Sequence, residues 1–210
     1  MRDTAIIVLA KAPWPGLSKT RLCPPCTQDE AALIAHAGLL DTLDAVAAVD
    51  TARRVLVCDG TPPAHPADLE CLPQRGRGLG ERIAGAFEDV GAPALLIGMD
   101  TPQVTAALLE HALRTLGRPR VGAVLGDTPD GGYWSVGLRR GNRHAFVGVP
   151  MSTARTSSAQ RRRLQDLGLE VADLPRLRDV DFFDDAEDVA GAIPGSRFAR
   201  AVTMTMQKSA

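Results

Sequence analysis

Three basic residues follow the first apolar run of the chain and could bind phosphate. Lys11, Lys19 and Arg21 lie in the stretch AKAPWPGLSKTRL, residues 10–22, directly after AIIVLA. Lys19 and Arg21 are two residues apart, so both side chains point to the same side of an extended segment. A guanidinium fork beside an ammonium group suits a pyrophosphate. The cluster favours phosphate binding over a solvated basic loop, which is the alternative interpretation.

This loop does not match the common nucleotide-binding motifs. In the P-loop pattern G-x-x-x-x-G-K-[ST], aligned on residues 19–20, the two glycines would fall at Pro13 and Ser18. Proline has no N–H to offer a phosphate, and no G-x-G-x-x-G follows the first apolar run. We therefore expect a different phosphate-binding loop, stiffened by Pro15 and turned at Gly16.

Carboxylates from two distant stretches could hold a metal ion. Asp100 follows an apolar run directly, while Asp179 and Asp181 alternate and would project to one side of an extended backbone. Two carboxylates about 4 Å apart repel by roughly 4 kcal/mol at an effective dielectric near 20, which a divalent cation would relieve. Oxygen ligands favour Mg²⁺ or Mn²⁺. The alternative is that these aspartates end strands and cap helices, as we expect for Asp184 or Asp185.

A third candidate stretch is DTPDGGYWSVGL, residues 127–138. Gly131 and Gly132 would let the backbone approach a ligand closely. Asp130 could accept hydrogen bonds from sugar hydroxyls or act as a general base, and Tyr133 could line a pocket. A tight hairpin turn at D-G-G is the alternative, and both interpretations can hold for one loop.

Apolar runs alternate with amphipathic segments along the chain, which predicts a mostly parallel mixed sheet covered on both faces. The expected class is a single three-layer α/β domain. Predicted strands cover residues 4–10, 53–60, 92–100, 121–127, 131–138 and 170–174, and predicted helices cover residues 27–49, 79–90, 104–116, 153–169 and 184–193. We expect the domain to span residues 1–195, followed by a C-terminal tail, 196–210.

Composition excludes several function classes. The formal net charge of -1 argues against a nucleic-acid-binding protein. No apolar run is long enough for a membrane span, and no signal peptide is expected. Cys23 and Cys26 have a C-x-x-C spacing, but no second pair completes a zinc site. We interpret the four cysteines as incidental thiols of a cytoplasmic protein.

Together, these stretches resemble a bacterial glycosyltransferase-like family with the nucleotide-diphospho-sugar transferase (GT-A) fold, often associated with radical-SAM or selenodomain proteins. The resemblance covers about residues 5 to 190, and its first motif is long and specific. More distant relatives are phospholactate and phosphoenolpyruvate guanylyltransferases. The matching motifs, in chain order, are AKAPWPGLSKTRL, the L-G-x-R of Leu79–Arg82, GMDTP, DGGYW and the D-V-D of Asp179–Asp181.

The resemblance implies roles for individual residues. Asp100, Asp179 and Asp181 would hold the metal ion. Asp130 would act in catalysis, and Gly131, Gly132 and Tyr133 would face the sugar or the acceptor. Nucleotide-binding residues, taken from the first motif and from L-G-x-R, would be Lys11, Pro15, Gly16, Lys19, Arg21, Gly80 and Arg82.

The first functional hypothesis is a metal-dependent transferase that uses a nucleotide-diphosphate-sugar donor and a small-molecule acceptor. The second is a nucleotidyltransferase, in which a phosphorylated acceptor attacks an NTP and releases pyrophosphate. The third is a non-catalytic nucleotide-binding protein. The expected partners are a nucleotide sugar or NTP and a small acceptor, with Mg²⁺ or Mn²⁺ as cofactor, and the sequence leaves room for a homodimer.

Overall fold

The computed structural model describes residues 3–51, 53–62 and 68–209. Within these residues the chain forms seven strands and six α-helices. The strands are β1 (Ala5–Lys11), β2 (Arg54–Asp59), β3 (Glu70–Pro73), β4 (Ala94–Gly98), β5 (Val121–Asp127), β6 (Tyr133–Leu138) and β7 (Glu170–Asp173). The helices are α1 (Gln28–Ala47), α2 (Leu79–Val90), α3 (Ala106–Leu116), α4 (Thr156–Asp166), α5 (Phe183–Ala192) and α6 (Arg197–Ser209).

The strands form one mixed sheet in the order β3-β2-β1-β4-β6-β5-β7. All neighbouring pairs are parallel except those of β6, which runs antiparallel to β4 and β5. The central strands are buried on both faces, as their continuous apolar runs predict. The expected mostly parallel mixed sheet is confirmed.

Helices cover both faces of the sheet. Apolar residues of α1 and α3, such as Leu39 and Leu113, pack on one face. Residues of α2 and α4, such as Phe87 and Leu164, pack on the other face. The start of α1 carries the predicted capping box, in which Thr27 Oγ1 accepts from the N–H of Glu30 while the Glu30 side chain accepts from the N–H of Thr27. The structure is therefore a three-layer α/β domain.

Two elements were not expected from the sequence. Strand β3 has only two half-buried inner residues and pairs with β2 alone, so it shows no apolar run. Helix α6 lies where we expected a tail, yet its Phe198, Ala199 and Val202 are buried against α1 and α5. The buried residues of α6 recur at helical spacing, so the sequence does carry an amphipathic pattern here, and the expectation of a tail without a core pattern was wrong.

The carboxyl ends of β1 and β4 meet at one edge of the sheet, where ligands bind in open α/β folds. After β4, the carbonyl of Asp100 accepts a hydrogen bond of 2.9 Å from the N–H of Val180. This bond joins the end of β4 to the segment that precedes α5. The fold thus brings together stretches that lie 80 residues apart in the chain.

Candidate active site

The opening loop, residues 12–22, holds one lysine in a fixed position. Lys19 has a left-handed backbone (φ 51°) and starts the 3-10 turn Thr20–Leu22. Its side chain is only 12% exposed, and Nζ lies 2.6 Å from Asp100 Oδ1 while also donating to the carbonyl of Val180. A left-handed backbone at a non-glycine residue is a strained conformation of the kind found at functional sites. The loop geometry therefore fixes the Lys19 ammonium group at the sheet edge.

The Arg21 side chain is exposed and lies at the same edge of the sheet as Lys19. Its Nη1 lies 2.9 Å from Asp181 Oδ2, and its guanidinium group lies 5.8 Å from the ring centre of Phe182. Phe182 is exposed, and nothing in the sequence pattern singles it out except its place directly after the D-V-D motif. The predicted cations Lys19 and Arg21 thus meet the predicted carboxylates Asp100 and Asp181.

Asp130 lies on the five-residue loop between β5 and β6, residues 128–132. Its Oδ1 accepts hydrogen bonds from the N–H of Gly132 (2.8 Å) and from the hydroxyl of Thr128. Gly131 has φ +91°, and a Cβ there would lie 2.0 Å from the carbonyl oxygen of Ala154, so only glycine fits. The loop is thus wider than the two-residue turn that D-G-G would form alone, and it holds the Asp130 carboxylate in one orientation.

Three carboxylates converge where this loop meets the segment before α5. Oxygen atoms of Asp130, Asp179 and Asp181 all lie within 4.8 Å of one another. Burial first, and then the negative charge of Asp130, raises the pKa of Asp179 to about 6. This crowding of oxygen donors fits a hard divalent cation such as Mg²⁺ or Mn²⁺. The set includes Asp130, which we expected in catalysis, whereas Asp100 lies outside the set and pairs with Lys19.

A cavity of about 400 Å³ opens beside the carboxylates. One side is polar and holds Asp100, Asp130, Asp179 and Asp181. The other side is apolar and is formed mainly by Leu79, Ile83, Met151 and Tyr133. An adjoining groove of about 240 Å³ is lined by Lys11, Lys19 and Arg21 together with Asp100 and Asp181. The site therefore offers a cationic end, a carboxylate centre and a partly apolar end.

Three further residues predicted to bind the nucleotide are Lys11, Gly80 and Arg82. Lys11 is exposed at the end of β1 and shares a groove of about 320 Å³ with Arg82. Arg82 Nη1 lies 2.6 Å from Asp59 Oδ2. Gly80 has a packing role, because a Cβ there would lie 2.8 Å from the carbonyl oxygen of Phe146.

Pro15 and Gly16 lie on the far side of the opening loop from the carboxylates. Pro15 lines a separate apolar groove with Trp14 and Leu33. Gly16 has φ +73° and makes the turn expected of it. The structure thus gives both residues a part in shaping the loop.

The two aromatic residues after Gly132 both form hydrogen bonds within the protein. The Tyr133 hydroxyl lies 3.3 Å from Gln160 Oε1, and burial raises the pKa of Tyr133. The indole N–H of Trp134 donates to the carbonyl of Pro175 at 3.0 Å. Tyr133 lines the cavity, as expected, and its hydroxyl is engaged with Gln160.

The C-x-x-C thiols lie away from the cavity. Cys23 and Cys26 are both free thiols, and Cys26 is buried. Burial, followed by the charge of Cys23, raises the pKa of Cys26 to about 11. A thiol with so high a pKa is a poor nucleophile and a poor metal ligand at neutral pH.

Comparison with solved structures finds proteins of similar fold. A candidate nucleotide-diphospho-sugar transferase of Desulfovibrio desulfuricans G20 has a TM-score of 0.84 and 26% identity, over 99% of this chain and 95% of that chain. CMP:2-keto-3-deoxy-manno-octonic acid synthetase complexed with CTP has a TM-score of 0.58 and 12% identity, over 91% and 99%. Rv0371c of Mycobacterium tuberculosis H37Rv complexed with manganese has a TM-score of 0.51 and 21% identity, over 89% and 98%.

The fold and these neighbours define an enzyme of the transferase class with the nucleotide-diphospho-sugar transferase fold, as the sequence motifs predicted. The chain belongs to the bacterial family described as "uncharacterized protein conserved in bacteria (DUF2064)", which it matches over residues 36–153. No curated protein matches the sequence. Among the helices of the described ranges, none is long and apolar enough to cross a membrane.

Proposed function

We propose that the protein is a metal-dependent transferase that uses a nucleotide-diphosphate-sugar donor to modify a small-molecule acceptor. The observation that carries the proposal is the meeting of the opening loop with the aspartates: Lys19 lies 2.6 Å from Asp100, and Arg21 lies 2.9 Å from Asp181. Such an arrangement of cations and crowded carboxylates is suited to a metal-bound diphosphate.

Asp130, Asp179 and Asp181 would hold the metal ion, which we expect to be Mg²⁺ or Mn²⁺. When bound, a divalent cation stabilises negative charge on a departing diphosphate. Lys19 and Arg21 add fixed positive charge at the same end of the cavity. These two side chains would bind the diphosphate and orient the sugar carbon toward the acceptor.

The acceptor would enter from the apolar end, between Leu79, Met151 and Tyr133. Packing against these side chains would orient an acceptor hydroxyl for attack on the anomeric carbon. Gly132, which lines the cavity, would let the backbone approach the sugar closely, whereas the absence of a side chain at Gly131 is needed for the contact with Ala154. The proton lost by the hydroxyl would pass to a carboxylate. Asp130 is our candidate because it lies at the cavity wall, and it would accept the proton on the oxygen that does not bind the metal ion.

A nucleotidyltransferase is the second candidate, since the similarity in fold to a synthetase complexed with CTP favours it. In that reaction the same cations would hold an NTP, and a phosphorylated acceptor would attack the α-phosphate. The first candidate is preferred because the cavity wall near Leu79, Met151 and Tyr133 is apolar and Arg21 is the one cation among the described residues that line the cavity itself. That statement concerns the described residues, 3–51, 53–62 and 68–209.

Thermal-shift measurements with a panel of NTPs and NDP-sugars, each with and without Mg²⁺ or Mn²⁺, test the proposal. We expect an NDP-sugar to stabilise the protein only when the metal is present. The stabilising ligand is then incubated with an acceptor library, and the released product is identified. Release of a nucleoside diphosphate supports the glycosyltransferase, whereas pyrophosphate release from an NTP overturns it. Binding without turnover across the library would favour the non-catalytic protein.

A further inference from the structure

A second groove lies on the outer side of the Asp130 loop. It has a volume of about 350 Å³ and is lined by one face of α4, by Arg176 of the segment after β7 and by the loop itself. Thr128 and Ala154 line both this groove and the central cavity, so the two are separated only by the loop. The residues that carry charge in its lining are Asp127, Arg161, Arg162 and Arg176.

Three arginines from two elements therefore face one carboxylate. Arg176 donates from Nη2 to the carbonyl of Thr128 at 3.2 Å, which fixes one edge of its guanidinium group. Arg161 lies 2.6 Å from Asp173 and 3.6 Å from Asp127. Arg162 is exposed and makes no hydrogen bond or ion pair with any residue that the structure describes. The groove thus has an excess of positive charge.

The single carboxylate of the lining is already engaged. Asp127 accepts a hydrogen bond from the hydroxyl of Ser157 and lies near Arg161. The other partner of Arg161, Asp173, has a side chain that is 75% exposed, so water screens that pair. No acidic side chain lies in the first turn of α4. The positive potential of Arg162 and Arg176 is therefore left uncompensated within the groove.

We propose that this groove binds a phosphate monoester group. Guanidinium forks recognise phosphate oxygens in pairs, and three of them around a small concavity select a compact dianion. A nucleic acid backbone would need a longer basic surface than this groove, in a chain whose net charge is -1. The phosphate could belong to the acceptor, reaching over Thr128 and Ala154 from the cavity, or to a separate small molecule. The chemistry of recognition is the same in both cases.

Two-dimensional NMR of the arginine Nε–H groups tests the site residue by residue. Inorganic phosphate is titrated at constant ionic strength, without metal or nucleotide. We expect the signals of Arg161, Arg162 and Arg176 to shift along one saturating curve, while the signal of Arg140, which is exposed elsewhere, stays unchanged. A shift of the Arg21 signal would report phosphate binding at the proposed diphosphate site, so it is not used to judge binding in the groove. Absence of saturation, or equal shifts of Arg140, would overturn the proposal.

Two groove variants and one control variant test whether individual arginines contribute to phosphate binding. Arg162→Gln and Arg176→Gln should each weaken phosphate binding by roughly tenfold, since each removes a charge-assisted hydrogen bond. Arg140→Gln should leave the affinity unchanged. Arg162 is exposed and makes no hydrogen bond or ion pair with the described residues, so that variant should fold. Full affinity in both groove variants would contradict the proposal.

A second probe separates the two sources of the phosphate. Phenyl phosphate carries an apolar body that could extend over Thr128 into the cavity. If the group belongs to the acceptor, phenyl phosphate binds more tightly than inorganic phosphate, and filling the cavity with Mg²⁺ and pyrophosphate removes the difference. If a separate small molecule is bound, the two probes bind equally. Either result supports the groove as a phosphate site, and neither depends on which transfer reaction the enzyme performs.

Discussion

The two ion pairs that join the opening loop to the aspartates differ in their surroundings. The Lys19 side chain is 12% exposed in its pair with Asp100, whereas the Arg21 side chain is 64% exposed in its pair with Asp181. Lys19 also donates to a backbone carbonyl and has a strained backbone. Among the described residues, the partners of the Arg21 guanidinium group are Asp181 and the face of an exposed phenyl ring. The two carboxylates are both partly exposed, 45% for Asp100 and 36% for Asp181, so the difference lies in the cations. A cation on a mostly buried side chain keeps its position, whereas an exposed one contributes little and exchanges partners readily.

This difference suggests that Lys19 and Arg21 have different roles in binding the diphosphate. Lys19 is a fixed charge, in place before any ligand arrives. Arg21 is held by one of the carboxylates that would bind the metal, so metal binding at Asp181 would free its guanidinium group for the diphosphate. The predictions that follow test this division, beginning with the largest effect.

Lys19→Met should give the largest loss of diphosphate affinity, about a hundredfold, because a charge-assisted contact from a mostly buried ammonium group disappears. Titration calorimetry with a nucleoside diphosphate and with the matching nucleoside measures the effect. Binding of the nucleoside should be nearly unchanged. Lys11→Met is the matched control. Because Lys11 is exposed, its replacement should lower the affinity for the diphosphate only a few-fold. An equal loss for nucleoside and diphosphate would refute the phosphate role of Lys19.

Asp181→Asn should weaken Mn²⁺ binding by about tenfold, since one of three anionic oxygen donors is replaced by a neutral one. Because the same change releases Arg21, affinity for a diphosphate without metal should stay equal or rise. Asp184→Asn, on the exposed first turn of α5, is the control. A drop in metal-free diphosphate binding would show that Arg21 is not held back by Asp181.

Asp179→Asn should stabilise the metal-free protein at pH 8 by on the order of 1–2 kcal/mol, a range discounted for partial solvent exposure. The folded pKa of Asp179, about 6, lies above its ordinary 3.8, so ionisation opposes folding above pH 6. That penalty is lost as the carboxyl becomes protonated between pH 6 and pH 4. Thermal unfolding of wild type and variant should therefore differ at pH 8 and converge near pH 4. A pH-independent difference would contradict the crowding of the three carboxylates.

Arg21→Gln should have the smallest effect, a loss of about three- to fivefold in diphosphate affinity at physiological salt. The loss should grow at low ionic strength, because the side chain is exposed. Calorimetry at two salt concentrations measures it, and Arg140→Gln serves as the control. A loss as large as that of Lys19→Met would remove the distinction between the two pairs.

Most of the fold was readable from local patterns. Buried strands appeared as unbroken apolar runs, and the boundaries of α2 were predicted as they stand, because its amphipathic pattern is strong. Strand β3 was not predictable, since it owes its stability to pairing with β2, whereas α6 has an amphipathic pattern that the expectation of a tail overlooked. Local propensity carries little information about a strand such as β3.

The residues of the candidate site could be predicted from the sequence, but which of them lie next to one another could not. Lys19, Arg21, Asp100 and Asp181 were recognised from motifs at strand ends. That Asp130 joins Asp179 and Asp181 depends on the width of the 128–132 loop, and the placement of that loop depends on the close contact between Gly131 and Ala154. Such contacts between distant segments leave no periodic signal. Phe182 and the arginines of the outer groove escaped notice because exposed residues of these types are common.

The most direct test of the site is anomalous diffraction from crystals grown with Mn²⁺ and a nucleoside diphosphate. The account predicts one manganese peak bounded by the carboxylates of Asp130, Asp179 and Asp181, with the diphosphate between that peak and Lys19. A manganese ion bound elsewhere, or a diphosphate that makes no contact with Lys19, would contradict it.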